Sequence, residues 1–359
     1  MASFNYGTPY GIYRTSAAGA TDFLNTLSRG IPNYIVAQNI GKLSPFTRKL
    51  LADSTSRPIG FPFVSQPVTG TIPNRVQRLD YNMQFNVPTD IDRDFTQMMT
   101  LYANLYLTTL YVTDFEVQAY NSGNPNMLVD NVAAMASRTW LDLMNTVATD
   151  LLGTRVSGTE NTTKFYGIKD IIDNGTVNAT YGNINRSTYS WWNSKVYDAA
   201  TDLGYDTTND APAAYVLVMR ALAKFNKDAS TMGLPNIAFT SYGCWQKIIE
   251  SFTSVEKYII ADTAKIDTIR EYEVTGVVVN GCAIFPDPYI TDNTIYFINF
   301  DHLRFEFADG YMVTVTPWYD TTIIGRLAFL SALKFGGQLV CDAPVSCFKV
   351  TSFPAVSVI

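Results

Sequence analysis

Imidazole is almost missing from this chain: among 359 residues there is one histidine, His302, set in a β-rich stretch where it reads as a structural residue. A Ser-His-Asp relay or a histidine-based metal site needs imidazole in the right place, so those enzyme classes lose their central group. Cysteine is scarce too. Cys244, Cys282, Cys341 and Cys347 are too few for a disulfide framework and lack the close pairing of a zinc site, so buried free thiols are expected. Charged residues make up only 16%, against roughly 25% in ordinary soluble domains. Asn, Thr, Ser and Tyr fill the surface quota instead, which suits contact with other protein. A net charge of -6 argues against a protein whose main task is neutralising phosphates. No phosphate loop is present either, because Gly336-Gly337 lacks the following Lys-Ser/Thr and a helix.

Long apolar runs are also missing. Ala213 to Met219 is stopped by Arg220, and no basic N-terminal stretch precedes an apolar core, so the chain is expected in the cytosol when made, with no membrane partner. The Asn-x-Ser/Thr triplets at Asn161, Asn174, Asn178 and Asn185 then read as chance in an Asn/Thr-rich chain. The carboxylate pairs Asp90/Asp92 and Asp142/Asp150 read as charged, solvated positions. No catalytic residue, cofactor or metal ligand is expected.

A 47% hydrophobic composition supports a sizeable core. Residues 1–20 mix Gly, Tyr and small polar residues without periodicity, as in an arm ordered only against a partner. Helical patterns start at Asp22 and run again over Tyr34 to Ile40, and Ser44-Pro45 opens a short helix through Leu51. Four prolines between Ser56 and Pro73 exclude helix and central strand. Alternation over Arg78 to Pro88 and the β-branched, aromatic run Leu101 to Tyr120 then predict two long strands of a projecting arm without a core of its own. This arm concentrates both signs of charge, in Arg57, Arg75, Arg78, Asp80, Asp90, Asp92, Arg93 and Asp94, which are candidate intersubunit contacts.

From Pro125-Asn126 to Gly153 the residues Val129, Ala133, Ala136, Trp140, Leu143, Val147 and Leu151 step by three or four along one face of a long helix. A helix from Asp210-Ala211-Pro212, a short strand Ile237 to Phe239, a Ser241-capped helix with Trp245, Ile248, Ile249 and Phe252, and a hairpin turning at Asn280-Gly281 form an α/β lobe. Leu303, Phe305 and Phe307 alternate up to Asp309-Gly310, and Tyr311, Val313 and Val315 return, which predicts another hairpin. Strands over Ile323 to Leu333 and Leu339 to Val350 are separated at Gly336-Gly337.

Between the long helix and the lobe lies FYGIKDIIDNGTVNATYGNINRSTYSWW, Phe165 to Trp192. Its apolar positions make one helical turn, Asp173-Asn174-Gly175 ends it, and at least one of Trp191 and Trp192 is expected to be buried. The order Phe-x-Gly-Ile with Gly167, the turn at Gly175, Thr-Tyr-Gly with Gly182, then Arg186 and the Trp pair resembles the junction in major capsid proteins of tailed bacteriophages. Asn183 stands where that family often has a second glycine, and Asn also accepts left-handed backbone.

The resemblance implies an α+β Hong Kong 97-type capsid fold: an N-terminal arm and short helices over 1–56, an extended β-arm (E-loop-like) over 57–120, and the spine helix of a peripheral domain over 121–164. An axial α/β domain over 165–290 and a β-rich return over 291–359 complete it. It implies self-assembly into hexamers and pentamers of an icosahedral head, scaffold and portal proteins as assembly partners, and packaged DNA bound without specificity. The implied location is the virion, and host cytoplasm during assembly. Trp140, Gly167, Gly175, Gly182, Arg186, Trp191 and Trp192 would be structural positions of the subunit. The residues alone leave open a tail or decoration protein, and a glycan- or ligand-handling enzyme suggested by the Trp/Tyr/Asn richness.

Overall fold

The structure, a computed structural model, describes residues 43–53, 63–70, 96–117, 125–155, 164–228, 233–252, 276–307, 311, 314–321 and 327–356. The N-terminal segment 1–20, the helical patterns at Asp22 and Tyr34, the strand over 78–88, the Asp309-Gly310 turn and all eight charged arm residues lie outside these ranges.

Helix α1, Pro45–Asp53, begins at the proline that the sequence marks, since Pro suits the first helical position. Strand β1, Phe63–Thr69, pairs antiparallel with β2, Thr96–Tyr102. The run from Leu101 to Tyr120 does not continue as the second strand of an arm. After Tyr102 the chain enters β3, Asn104–Thr113, which pairs along its whole length with a late strand, so this part of the run belongs to a core sheet. Helix α2, Pro125–Leu152, has 28 residues, about 42 Å at 1.5 Å per residue. Its buried stripe is Val132, Ala136, Trp140, Leu143, Val147 and Leu151, with Met144 and Ala148 beside it. Ala133, placed on that stripe by the sequence pattern, is only half-buried, and Val132 takes the position.

After the single turn α3, Ile168–Ile171, and the two-residue strands β4, Thr180–Tyr181, and β5, Ile184–Asn185, comes β6, Lys195–Asp198. Helix α4, Ala214–Asp228, starts later than Asp210-Ala211-Pro212 suggested. Asp206 and Ala211 bond to each other's backbone there, which holds the chain in a turn ahead of the helix. Next come β7, Ile237–Thr240, and α5, Tyr242–Ser251, with Ser241 at the N-cap position but its side chain making no capping bond. Strands β8, Val277–Val279, and β9, Cys282–Pro286, turn through Asn280 (φ 50°) and Gly281 (φ 81°), the paired positive φ angles that an Asn-Gly hairpin requires.

The remaining strands are β10, Ile295–Ile298; β11, Leu303–Phe307; β12, Thr314–Val315; β13, Tyr319–Asp320; β14, Ala328–Cys341; and β15, Phe348–Thr351. Two expectations fail in this part. Strands β11 and β12 do not form a hairpin with each other: Leu303–Phe307 pair with Cys341–Gly337 and Thr314–Val315 with Lys334–Leu333, one after the other along the same edge of β14. Gly336-Gly337 does not separate two strands either, but lies inside β14. A Cβ on Gly337 would sit 2.3 Å from the Glu306 carbonyl oxygen, so glycine here permits close approach of β11. The long strand offers both segments a continuous ladder, and that outweighs a local turn signal.

Two sheets result. Around β14 are β3 on one edge and β11, β12 and β13 on the other. The second sheet has the order β6-β15-β10-β7-β9-β8, so β10 and β15, grouped by sequence with the β-rich return, run through the middle of the α/β lobe. Its central strands β15, β10, β7 and β9 are buried on both faces, while the edge strands β6 and β8 are half-buried. Ile237 and Phe239 join the larger core with α1, α2 and the β14 sheet, while Ala238, Ile284, Phe297 and Phe348 face α4 and α5 in a second core.

Candidate functional site

The segment Phe165–Trp192 lies where both sheets, α2 and the β1–β2 pair converge. Its first residue is apolar and fully buried, with the Phe165 ring edge-on to Phe305 at 5.3 Å. Gly167 then passes under the end of α2: a Cβ there would lie 2.1 Å from the Gly153 carbonyl oxygen, so a side chain is excluded by backbone. The turn α3 follows, with apolar Ile168 and Ile171 inward and two carboxylates, Asp170 and Asp173, carried into the interior behind it.

Those carboxylates set the electrostatics. Asp170 accepts hydrogen bonds at Oδ2 from the backbone amides of Arg155 (2.7 Å) and Gly167 (3.1 Å), while its Oδ1 has no partner among the described residues. Burial raises this carboxyl to about 6, against the lowering pull of those amides, of Arg186 and of Arg155. Asp173 behaves oppositely. Burial again works to raise it, but amides of Asn178 and Val177 and the charge of Lys349 together hold it below the ordinary range. Its Oδ2 gathers the amides of Gly175, Val177 and Asn178 at 2.9, 3.0 and 3.1 Å, and Lys349 Nζ lies 3.3 Å from Oδ1.

Arg186 is fully buried. Its Nη1 donates to the carbonyl oxygens of Asp170 (2.8 Å) and Asn178 (3.2 Å) and its Nη2 to that of Ile171 (2.7 Å), so one guanidinium ties α3 to the following turn. Desolvation lowers its pKa, countered by Asp173, Tyr181 and Asp170. A fork of fixed donors can serve three carbonyls from one position, which an ammonium cannot. Gly175 (φ 91°) lies with its Cα facing the Arg186 stem, where a Cβ would approach Arg186 Cβ to 3.2 Å.

The aromatic half of the segment holds the β1–β2 pair. Trp192 Nε1 donates to the Tyr181 carbonyl at 2.9 Å, and the two rings stack at 5.7 Å. Trp191, half-buried, covers Gly70 at the end of β1, where a Cβ would lie 2.4 Å from the indole. Gly182 (φ 61°) and Asn183 (φ 65°) make the β4–β5 turn, Thr100 of β2 donates to the Gly182 carbonyl at 2.9 Å, and buried Met99 lies against the glycine. Arg304 Nη2 also reaches Gln66 of β1, while its other nitrogens bond Glu306 and Asp342.

Of the residues singled out in sequence, Gly167, Gly175, Gly182, Arg186, Trp191 and Trp192 meet in this junction, whereas Trp140 is buried midway along α2. Asp170, Lys349 and Gln338 escaped notice, and Asp173 was read only as part of the turn that ends the helix, not as a buried charge. Gln338 accepts from Tyr166 N at 2.9 Å and donates to the Tyr102 carbonyl at 2.7 Å, pinning the junction to two strands. The available signal was Asp-x-x-Asp on an otherwise apolar turn. Asp150, read as solvated, instead accepts a 2.5 Å bond from the Tyr106 hydroxyl and pairs with Lys164 at 3.1 Å; the approach of β3 to α2 encloses it. His302 pairs with Asp342 at 2.8 Å. Among the described residues no group of three or more His, Cys, Asp or Glu could hold a metal, and no helix is long and apolar enough to cross a membrane. The arrangement is a compensated buried polar cluster with mechanical consequences: it fixes the relative placement of α2, both sheets and the β1–β2 pair.

Neither a protein-family model nor a curated protein matches the sequence. Solved structures do. The chain is similar to the cyanophage A-1(L) capsid asymmetric unit, at 15% identity and a TM-score of 0.62, over 86% of this chain and 92% of that one. It is also similar to the holo-SrpI encapsulin complex from Synechococcus elongatus PCC 7942, at 8% identity and a TM-score of 0.51, over 85% and 87% of the two chains. The mixed helix-and-sheet architecture described above is therefore that of a phage capsid fold.

Proposed function

We propose that this chain is the major capsid protein of a tailed bacteriophage, a Hong Kong 97-type subunit that self-assembles into the icosahedral head around double-stranded DNA and catalyses no reaction. One observation carries this reading: the likeness to the chain of the cyanophage capsid extends over 86% of this chain and 92% of that one, so it spans most of both rather than a shared fragment. In this reading α2 is the spine of the peripheral domain (121–164) and the β14 sheet packs upon it. The six-stranded lobe is the axial domain, with 165–290 supplying its helices and 291–359 contributing β10 and β15 before closing the periphery. Segment 1–56 is an N-terminal arm with short helices, of which α1 packs in the core, and the extended arm expected over 57–120 is confined to 57–102, because β3 lies in the β14 sheet; its base, β1 and β2, is held by Trp191, Gly182 and Arg304.

Copies of the chain are its main partners, as hexamers and pentamers, with scaffold and portal proteins in assembly and DNA held without specificity. Arg57, Arg75, Arg78, Asp80, Asp90, Asp92, Arg93 and Asp94 are proposed contacts between neighbouring subunits, each weak but repeated around a ring. The glycines, Arg186 and the Trp pair keep the arm at a fixed angle to both domains. The test is sedimentation and negative-stain microscopy of the purified protein across salt and concentration. Capsomer-sized rings or closed shells are expected; a protein that remains monomeric throughout would overturn the reading.

A further inference from the structure

We infer that the free edge and outward face of β3 form a contact between two copies of this chain, an inference that rests on the shell reading and gives it a location. Strand β3 pairs only with β14 among the described residues, with Ala328 opposite Thr113 and Gly337 opposite Asn104. The Asp114 amide continues that ladder by donating to Leu327 O at 3.1 Å, so alternate residues 105, 107, 109 and 111 direct their amide and carbonyl groups to the opposite edge. Those same residues turn their side chains away from the core, into which Leu110 and Val112 point. The outward face should then be polar, as on an ordinary one-sided sheet. It is not: Leu107 is 56% exposed, and Tyr111 (59%) and Tyr319 (60%) flank Leu330 in one cross-strand row.

Strand β3, NLYLTTLYVT, carries no charge, proline or glycine, the usual devices that keep a strand edge from pairing. An edge left this way in a subunit that works alone would invite aggregation. The available area suits a second copy. Tyr111 and Tyr319, at roughly 150–250 Å² for a whole aromatic side chain, offer about 240 Å². Leu105 and Leu107, on the same face, add on the order of 90 Å². Two copies contributing this much bury about 650 Å², below the ~1,000 Å² of a lone specific contact, which suits a weak contact repeated many times in a closed assembly.

Amide hydrogen exchange on the unmodified protein is the direct test. Residues 105, 107, 109 and 111 should exchange rapidly in dissociated subunits and at least tenfold more slowly in the associated form; equal rates in both would overturn the inference. As a second arm, Leu107→Lys/Tyr111→Lys should keep the circular dichroism and melting temperature of the parent and lose most self-association by sedimentation. Wild-type yield of associated material from this folded variant would also overturn it. The two readings fail separately: a parent protein that makes dimers but no shells, with those amides protected, sinks the capsid proposal and leaves the β3 contact standing.

Discussion

Replacing Gly182 by alanine probes how firmly the β1–β2 pair is seated on the junction, and its cost can be worked out in two parts. Backbone strain comes first: at φ 61° an L-residue loses roughly 1–2 kcal/mol. The second part is steric. The added methyl would lie 2.4 Å from Met99 Cγ and 3.2 Å from its Sδ, and Met99 is fully buried, so its side chain must shift inside a packed core. Overpacking of that kind costs about 1–3 kcal/mol, giving a total of about 2–5 kcal/mol. Met99→Ala removes Cγ and Sδ and leaves Cβ at 3.5 Å, an ordinary contact. In that background Gly182→Ala should cost only the strain, so a double-mutant cycle should return about 1–3 kcal/mol of coupling. Urea unfolding of dissociated subunits, followed by the fluorescence of Trp191 and Trp192 in the same junction, measures it. Additivity within ~0.5 kcal/mol would refute the reasoning, because Met99 would then not be held against the turn.

Asp170→Asn should stabilise the subunit at pH 7. The folded-state carboxyl sits at about 6, above its ordinary 3.8, so ionisation opposes folding by on the order of 3 kcal/mol above pH 6. That penalty disappears as pH falls from about 6 toward 4, and the variant should lack this acid-side gain; an unchanged pH profile of urea midpoints would contradict it. Arg186→Met should cost about 3–5 kcal/mol, since two buried carbonyls and a part-buried one lose their donor and Asp173 loses one of its cations; a fully soluble variant with parental stability would refute the tie. Trp140→Ala should cost about 3–5 kcal/mol for a fully buried ring, read as a lowered melting temperature, and no change would mean that the stripe carries little packing. On the proposed shell reading, charge reversal by Arg75→Glu and Arg78→Glu together should leave the fold intact by circular dichroism and reduce the yield of closed particles; normal particles would move the proposed contact elsewhere.

The helix α2 was legible because a period of 3.6 is a local property: Trp140, Leu143, Val147 and Leu151 declare one face without reference to anything distant. The junction was legible for a related reason. Left-handed backbone restricts residue choice, so Gly175, Gly182 and Asn183 announce turns whatever surrounds them. Its chemistry was not, because Asp173 meets Lys349 from 176 positions away and Tyr166 meets Gln338 from 172, and no spacing rule reaches that far.

Pairing failed for a different reason, and the failure is informative about the molecule. Leu303 to Val315 carries an ordinary hairpin signal, and Gly336-Gly337 an ordinary break, yet each is overruled by the other: glycine without side chains lets β11 and β3 close on both edges of β14, and β14 then supplies the partner that β11 and β12 would otherwise find in one another. A local rule holds only while no longer ladder competes. The same competition bears on β3, whose second edge retains the apolar, uncharged pattern of a strand meant to be paired on both sides. What looks anomalous in the isolated chain, too few charges and leucines on the outside of a sheet, is what a strand requires if its last ladder is completed by another molecule.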